Sequence, residues 1–251
     1  MARTVLITGA SSGFGEAIAR HFAAKGDRLV LNARRLERLK KLKAELESSA
    51  EIHLVPFDVR DRQAVTQALT NLPADFAEVD ILVNNAGLAL GLEPAHKTDL
   101  DDWDCMIDTN CKGLVYCTRA LLPGMVARNR GHVVNIASTA GTYAYPGANV
   151  YGASKSFVIQ FSANLRSDLL GTKVRVSCIA PGMAETEFSL VRFKQDAEKA
   201  AAVYAGKSAM TASDIAHAVI YATDQPEHLN INYIELMPVT QAPGGLKVVP
   251  V

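Results

Sequence analysis

Short aliphatic and β-branched runs alternate along this chain with longer stretches whose apolar residues recur every three or four positions. The first kind marks buried strands, and the second marks helices with one apolar face. Runs at 4–8, 28–33, 52–57, 80–83, 132–137, 173–179 and 231–236 predict strands. Between them the periodicity predicts a helix carrying Ile18, Phe22 and Ala23 inward, a charged helix opening at Leu36, and helices over 62–72, 100–127, 150–170 and 212–223. In the 150–170 helix, Phe157, Phe161, Leu165 and Leu169 form an apolar stripe at four-residue spacing. Strands that alternate with helices imply a parallel sheet joined by right-handed crossovers. The fold class is therefore α/β: a single Rossmann-type doubly wound parallel sheet of about seven strands, with helices on both faces. The pattern loosens over 183–210, where charged and aromatic residues mix, and this segment reads as a lid at the carboxyl edge of the sheet. The stretch 237–251 holds three prolines and two glycines and reads as an extended tail. No linker or repeat divides 1–251, so one domain is expected.

Composition narrows the partners. The chain has 251 residues, is 49% hydrophobic, and carries a formal net charge of zero. That balance gives no support for a nucleic acid or an anionic membrane as partner. No apolar run approaches the ~18 residues that a membrane span needs, and the apolar run at the amino end stops after Ile7, too soon for a signal peptide. A cytoplasmic protein is expected. Three of the four cysteines, Cys105, Cys111 and Cys117, fall in one predicted helix and point to different sides, and Cys178 lies in a strand. No CxxC pair exists, so buried reduced thiols are expected rather than a disulfide framework or a metal site.

The chemistry gathers at the ends of the predicted strands. Thr8 to Gly15 reads TGASSGFG between the first strand and the first helix. A strand, a glycine-rich turn and a helix together aim backbone N–H groups and a helix N-terminus at a pyrophosphate. Gly9 and Gly13 permit the tight turn, Gly15 lets helix and strand approach, and Ser11, Ser12 and Phe14 share the loop. The spacing is GxxxGxG, and a glycine-rich turn without a ligand fits it too. The second strand ends at Ala33, where an NAD site usually carries a carboxylate for the ribose 2′-OH. Arg34 and Arg35 follow, and guanidiniums grip a 2′-phosphate with charge-assisted bonds. The nucleotide indicated is NADP, although these arginines could merely open the charged helix. Asp58, followed by Val59, ends the third strand and suits an adenine amino group. Asn84 to Gly87 reads NNAG, with Asn84 tying strand ends together and Asn85 facing the cofactor. Asn110 is a buried amide in a helix, either a core asparagine or one that positions a water.

Ser138 ends the fifth strand and Pro181-Gly182 follow the sixth. Tyr151 and Lys155, four apart, share one helix face. At ~4 Å and an effective dielectric of ~20, an ammonium would favour the phenolate by roughly 4 kcal/mol, lowering the phenol pKa by up to roughly 3. Such a phenol could carry a proton near neutrality. An ordinary surface Tyr–Lys pair has the same spacing.

Taken together, TGASSGFG, Asp58-Val59, NNAG, Asn110, Ser138, YGASK at 151–155 and PGMAET at 181–186 resemble the short-chain dehydrogenase/reductase family over essentially the whole chain. Phe14 stands where that family usually has an aliphatic residue. The segments NNAGLALGLEPAHK (84–97), DTNCKGLVYCTRALLPGMV (108–126), TEFSLVRFK (186–194) and NINYIELMPVTQ (230–241) resemble its NADP-dependent 3-hydroxy acid dehydrogenase branch, whose members are also described as L-allo-threonine or serine dehydrogenases. The loop at 182–185 looks shorter than in that branch.

The resemblance implies hydride transfer between nicotinamide and a small hydroxy acid. In it Tyr151 is the proton carrier and Lys155 the residue that lowers its pKa and holds the nicotinamide ribose. Ser138 bonds the substrate oxygen, Asn110 anchors a water, and Thr186 bonds the carboxamide. A hydroxy-acid carboxylate needs a cation. Arg192 is the candidate, with Lys194 and Gln241 behind it, and a solvated lid charge is the alternative for Arg192. The resemblance also implies a homotetramer. Two other readings stay open: a reductase of sulfoacetaldehyde or another small polar carbonyl, and a non-catalytic NADP-binding sensor or structural subunit.

Overall fold

The computed structural model describes residues 2–244. All seven strands lie in one parallel sheet: β1 (Thr4–Ile7), β2 (Arg28–Leu31), β3 (Ile52–Leu54), β4 (Ile81–Asn84), β5 (Gly131–Ile136), β6 (Val174–Pro181) and β7 (Tyr233–Leu236), in the spatial order β3-β2-β1-β4-β5-β6-β7. The strands are near-continuous aliphatic runs because both faces of the sheet are covered. Successive residues serve opposite faces. Val5, Ile7, Leu29, Leu31 and Val83 pack with Ile18 and Phe22 of α1 (Gly13–Ala24), Leu39 of α2 (Leu36–Leu46) and a helix near the carboxyl end. Leu6, Val30, Leu82 and Val133 pack with Val65 and Leu69 of α3 (Arg62–Thr70) and with two longer helices on the other face. After β1 the chain turns to one flank of the sheet and after β4 to the other, so the loops leaving these neighbouring strands diverge. That is where an open α/β sheet forms a crevice.

One helix is added to the expected set and one expected helix resolves into three pieces. A short helix, α4 (Ala74–Ala77), precedes β4. The helix expected over 100–127 is α5 (Leu100–Ile107), a π-helical turn (Asp108–Gly113) and α6 (Leu114–Ala127). Such wide turns recur at functional sites. The four cysteines are free, with Cys117 and Cys178 buried and their thiols pushed up by burial to about 12 and about 11.

The apolar stripe of α7 (Asn149–Asp168) does not lie on the buried face as a whole. Leu165 and Leu169 are buried, but Phe157 is 40% exposed and stacks on Phe161 with ring centroids 5.8 Å apart. Four residues overshoot one helical turn by about 40°, so a stripe at that spacing drifts around the helix. The inward face instead carries Tyr151, Ser154, Lys155, Val158 and Ser162.

The loose segment 183–210 folds into α8 (Phe188–Arg192) and α9 (Ala197–Tyr204), and α10 (Ala212–Thr223) follows with a reciprocal cap between Thr211 and Asp214. The tail expected over 237–251 is described only to Gly244, and 245–251 lie outside the described residues. Its described part turns back, so that Gln241 Oε1 accepts a bond from the Met183 amide at 2.7 Å. Among the described residues no helix is long and apolar enough to cross a membrane.

One buried polar group makes the fold sensitive to acid. His132 in β5 is 1% exposed, and its Nε2 lies 2.8 Å from Ser177 Oγ. Ser177 gives its own proton to the Ile231 carbonyl, so Nε2 is the protonated nitrogen and the ring is neutral. Burial, then the charges of Arg175 and Arg3, push the imidazole pKa down to about 3 from 6.5. An unfolded chain takes up this proton below 6.5, whereas the folded one does not, so stability is lost as pH falls from 6.5 towards 3. In urea titrations between pH 7 and 4, His132→Gln is expected to flatten this loss. Equal slopes for the two proteins would show that His132 does not cause it.

Candidate functional site

The crevice beside β1 and β4 is a cavity of about 480 Å³. The glycine turn closes one end of it. Gly9 and Gly13 have φ of +68° and +56°, which side chains disfavour. Gly15 presses on the turn from inside, and a Cβ there would collide with the Gly9 carbonyl and sit 2.5 Å from Asn85 Nδ2. α1 begins at this turn after Ser12, which makes no side-chain cap, and α2 begins nearby after Arg35, also uncapped. Ser12, Gly13 and Arg35 line the cavity, so both uncapped helix starts lie at its wall, where an anion would meet free N–H groups. Away from the cavity, by contrast, Asp61 and Asp99 cap α3 and α5.

Three arginines at the start of α2 add charge. Arg35 donates to Ser11 Oγ at 3.0 Å and to Ser12 Oγ at 2.9 Å, and Arg34 lies 3.8 Å from Asp58. Arg38, absent from the expected set, pairs with Glu187 at 2.8 Å. Asp58 also differs from expectation. Its carboxylate is gripped by Arg60 at 2.6 Å. Burial pushes its pKa up, but the bonds and charge of Arg60, with the charge of Arg34, outweigh this and leave it below the usual range. Asp58 and Val59 still line the cavity. Neither Arg38 nor Arg60 carried a sequence signal beyond belonging to charged runs.

Asn84 is buried and donates to Thr118 Oγ1 and Asn135 Oδ1, both at 2.9 Å, as a strand tie should. Asn85 was expected to face the cofactor. It lines the cavity, but its amide donates to the Thr8 carbonyl at 2.9 Å and so staples the β1 and β4 loops together. Asn110 sits in the π-helical turn and clamps Leu88 from both sides: Oδ1 accepts from the Leu88 amide and Nδ2 donates to its carbonyl, each at 2.9 Å. Its second N–H bond goes to Ser154 Oγ at 2.9 Å. Both amide protons are spent, which leaves the side chain no donor for a water.

Ser138, Tyr151, Lys155, Pro181, Gly182 and Thr186 line the other end of the cavity. Of the expected cofactor residues only Gly15 is off the wall, buried beneath the turn. Thr186 packs on the glycine turn, 3.4 Å from where a Gly13 Cβ would lie. Tyr151 is 8% exposed, and burial pushes its phenol up to about 12, while the Ser138 hydroxyl and the Arg192 charge pull it down. The expectation that Lys155 lowers it does not hold here. The ammonium is 6.0 Å from the Tyr151 ring centroid and donates to the Ile136 carbonyl at 2.9 Å. Burial pushes Lys155 itself down to about 8. The earlier Coulomb figure assumed ~4 Å and ignored desolvation, which opposes the charged form of both groups.

Arg192 of α8 does reach the site. Its guanidinium lies 5.5 Å from the Tyr151 ring centroid and donates to Tyr145 Oη at 3.0 Å and the Gly91 carbonyl at 3.1 Å. Lys194 points elsewhere and pairs with Asp102 at 2.9 Å. Gln241 is held by Met183. Tyr145, which no motif announced, and Phe188 of the 186–194 segment, whose ring is 5.6 Å from that of Tyr151, complete this end. Among the described residues no cluster of His, Cys, Asp or Glu could hold a metal ion.

A sequence profile for the short chain dehydrogenases matches residues 3–197. The NADP-dependent 3-hydroxy acid dehydrogenase of Escherichia coli (strain K12) is 55% identical over 97% of this chain and 98% of that protein. A sulfoacetaldehyde reductase from Chromohalobacter salexigens is 53% identical over 96% of each. Among solved structures, the closed form of a serine dehydrogenase complexed with NADP+ superposes with a TM-score of 0.95 at 55% identity, covering 99% of this chain and all of that one.

The packing at Gly15 can be tested apart from any activity. Gly15→Ala is expected to force the turn apart at a cost of about 1–3 kcal/mol. Thermal melting should show a fall of several degrees, and an unchanged midpoint would mean that the turn yields freely.

Proposed function

The chain belongs to the short-chain dehydrogenase family, and on that premise we propose that its substrate is a small 3-hydroxy acid such as serine, L-allo-threonine or 3-hydroxypropionate. It is an NADP-dependent oxidoreductase acting on CH–OH groups. The observation that carries the substrate reading is the Arg192 guanidinium 5.5 Å from the Tyr151 ring, a fixed cation beside the reactive phenol.

The cavity suits the coenzyme on its own geometry: two glycines at positive φ, a third too tightly packed to bear a side chain, two uncapped helix N-termini, and arginines where an NAD site carries an acid. In this reading Gly9, Ser11, Ser12, Gly13, Phe14 and Gly15 form the pyrophosphate turn. Arg34 and Arg35 take the 2′-phosphate. Asp58 and Val59 flank the adenine, Asn85 braces the ribose wall, and Pro181, Gly182 and Thr186 face the nicotinamide. When bound, NADP accepts or supplies a hydride at nicotinamide C4.

The protein's own part is proton handling and orientation. Tyr151 takes the hydroxyl proton during oxidation and returns it during reduction. Ser138 bonds the substrate oxygen as its charge changes. Lys155, one turn along α7 from Tyr151, holds the nicotinamide ribose. Arg192 grips the carboxylate with its two-pronged donor face and, as a neighbouring positive charge, also makes the phenol more acidic. Asn110 fixes Leu88 and Ser154, and any water on the path from Lys155 to solvent would rest on the main chain of the π-helical turn. The segment 183–210 acts as a lid that brings Arg192 over the substrate.

An anionic sulfonate would use the same arginine, so sulfoacetaldehyde is the rival to test. We also propose a homotetramer, supported by the exposed apolar surface on α5 and α7, notably Leu100, Ile107 and Phe157. A cytoplasmic setting is supported by four free thiols, which suit a reducing compartment.

Steady-state kinetics with NADP on 3-hydroxy acids, serine, both threonine diastereomers and sulfoacetaldehyde would decide the substrate. The highest kcat/KM should fall among the hydroxy acids, and a lead for the sulfonate or a neutral carbonyl would overturn this choice. Tyr151→Phe is expected to lower kcat by about 10²–10⁴-fold while leaving the NADPH Kd nearly unchanged. Substantial remaining turnover would remove Tyr151 from the chemistry. Arg192→Ala should lower kcat/KM about 10²-fold or more for carboxylates and far less for neutral ketones. Equal losses on both would end the anion-binding role.

A further inference from the structure

Arg34, Arg35 and Arg38 crowd like charges around the start of α2, and two carboxylates offset them. Asp58, from the end of the third strand's loop, attends Arg34. Glu187 reaches Arg35 and Arg38 from across the cavity, some 150 residues away in the chain. Both of its oxygens lie 2.8 Å from Arg38 Nη1, and one lies 3.5 Å from Arg35 Nη1. Glu187 directly follows Thr186, which rests on the glycine turn, and directly precedes α8, which carries Arg192. No motif marks it.

A carboxylate and a phosphate monoester want the same thing from a guanidinium, paired N–H donors and positive charge. The phosphate carries up to about −2 and three oxygens, against −1 and two for the carboxylate. It therefore displaces or crowds Glu187, and it does so against like-charge repulsion. NAD, which has a hydroxyl at that position, imposes neither demand.

We propose that Glu187 is a built-in competitor of the coenzyme's 2′-phosphate, selectively weakening NADP(H) and giving the arginines a partner when the coenzyme leaves. The proposal rests on reading Arg34 and Arg35 as the 2′-phosphate site. It makes Glu187 a residue that sets coenzyme affinity without touching the nicotinamide. Because the same carboxylate stands at the root of α8, it also ties release of the adenylate end to movement of the segment that carries Arg192.

The test is binding by fluorescence titration with NADPH and NADH, together with stopped-flow dissociation of NADPH. Glu187→Gln keeps the shape and removes the charge, and its half-exposed side chain lies outside the apolar core, which spares the fold. The variant is expected to bind NADPH about 3–10-fold more tightly and release it correspondingly more slowly, with NADH within about 2-fold of the parent. In an Arg35→Gln background the same substitution should change NADPH binding much less, since Arg35 is the guanidinium that Glu187 and the 2′-phosphate share. Unchanged or weakened NADPH binding, or an equal shift for both nucleotides, would overturn the proposal. A parent protein with no preference for NADPH over NADH would instead refute the 2′-phosphate reading, and the competition with it.

Discussion

One chain of hydrogen bonds holds the crevice in register. Thr8 Oγ1 accepts from the amides of Asn85 and Ala86, Asn85 returns a bond to the Thr8 carbonyl, and Asn110 clamps Leu88 three residues on. Asn110 then donates to Ser154, whose hydroxyl donates to the Tyr151 carbonyl at 2.7 Å. The turn after β1, the loop after β4, the π-helical turn and α7 are thus joined in sequence. Loops diverging from a parallel sheet have no ladder to position them, and here buried side-chain amides do that work. The coenzyme end and the proton-carrying end of the cavity are fixed relative to each other by the same few bonds.

The electrostatics of the reactive end follow from burial more than from spacing. Tyr151 and Lys155 are one turn apart, yet each is pushed towards its neutral form by loss of water. Arg192 remains more exposed and stands over the phenol ring, 5.5 Å from its centroid. In the proposed roles, a carboxylate arriving at Arg192 and a proton leaving Tyr151 would act on one local field.

The sheet, its order of elements and most of the cavity wall were legible because each depends on local pattern. Aliphatic runs mark strands buried on both faces, and glycines mark a turn that tolerates nothing larger. What the sequence hid depended on side chains meeting across long separations. Glu187 meeting Arg38, Arg60 claiming Asp58, and Asn85 turning to Thr8 leave no periodic trace. The π-helical turn was also invisible, since one added residue in a helix scarcely alters its apolar rhythm. The drift of Phe157 to the outside of α7 came from treating four-residue spacing as if it matched the helical repeat.

The bond from Lys155 Nζ to the Ile136 carbonyl has a consequence of another kind. With its pKa near 8, this side chain spends part of its time as a free amine at physiological pH. Oxidising an alcohol yields a carbonyl compound, with which a free amine condenses to an imine. The bond to a backbone oxygen leaves the lone pair unblocked but restrains where the nitrogen can reach, so a weakly basic lysine tethered in this way has less freedom to swing onto a carbonyl carbon.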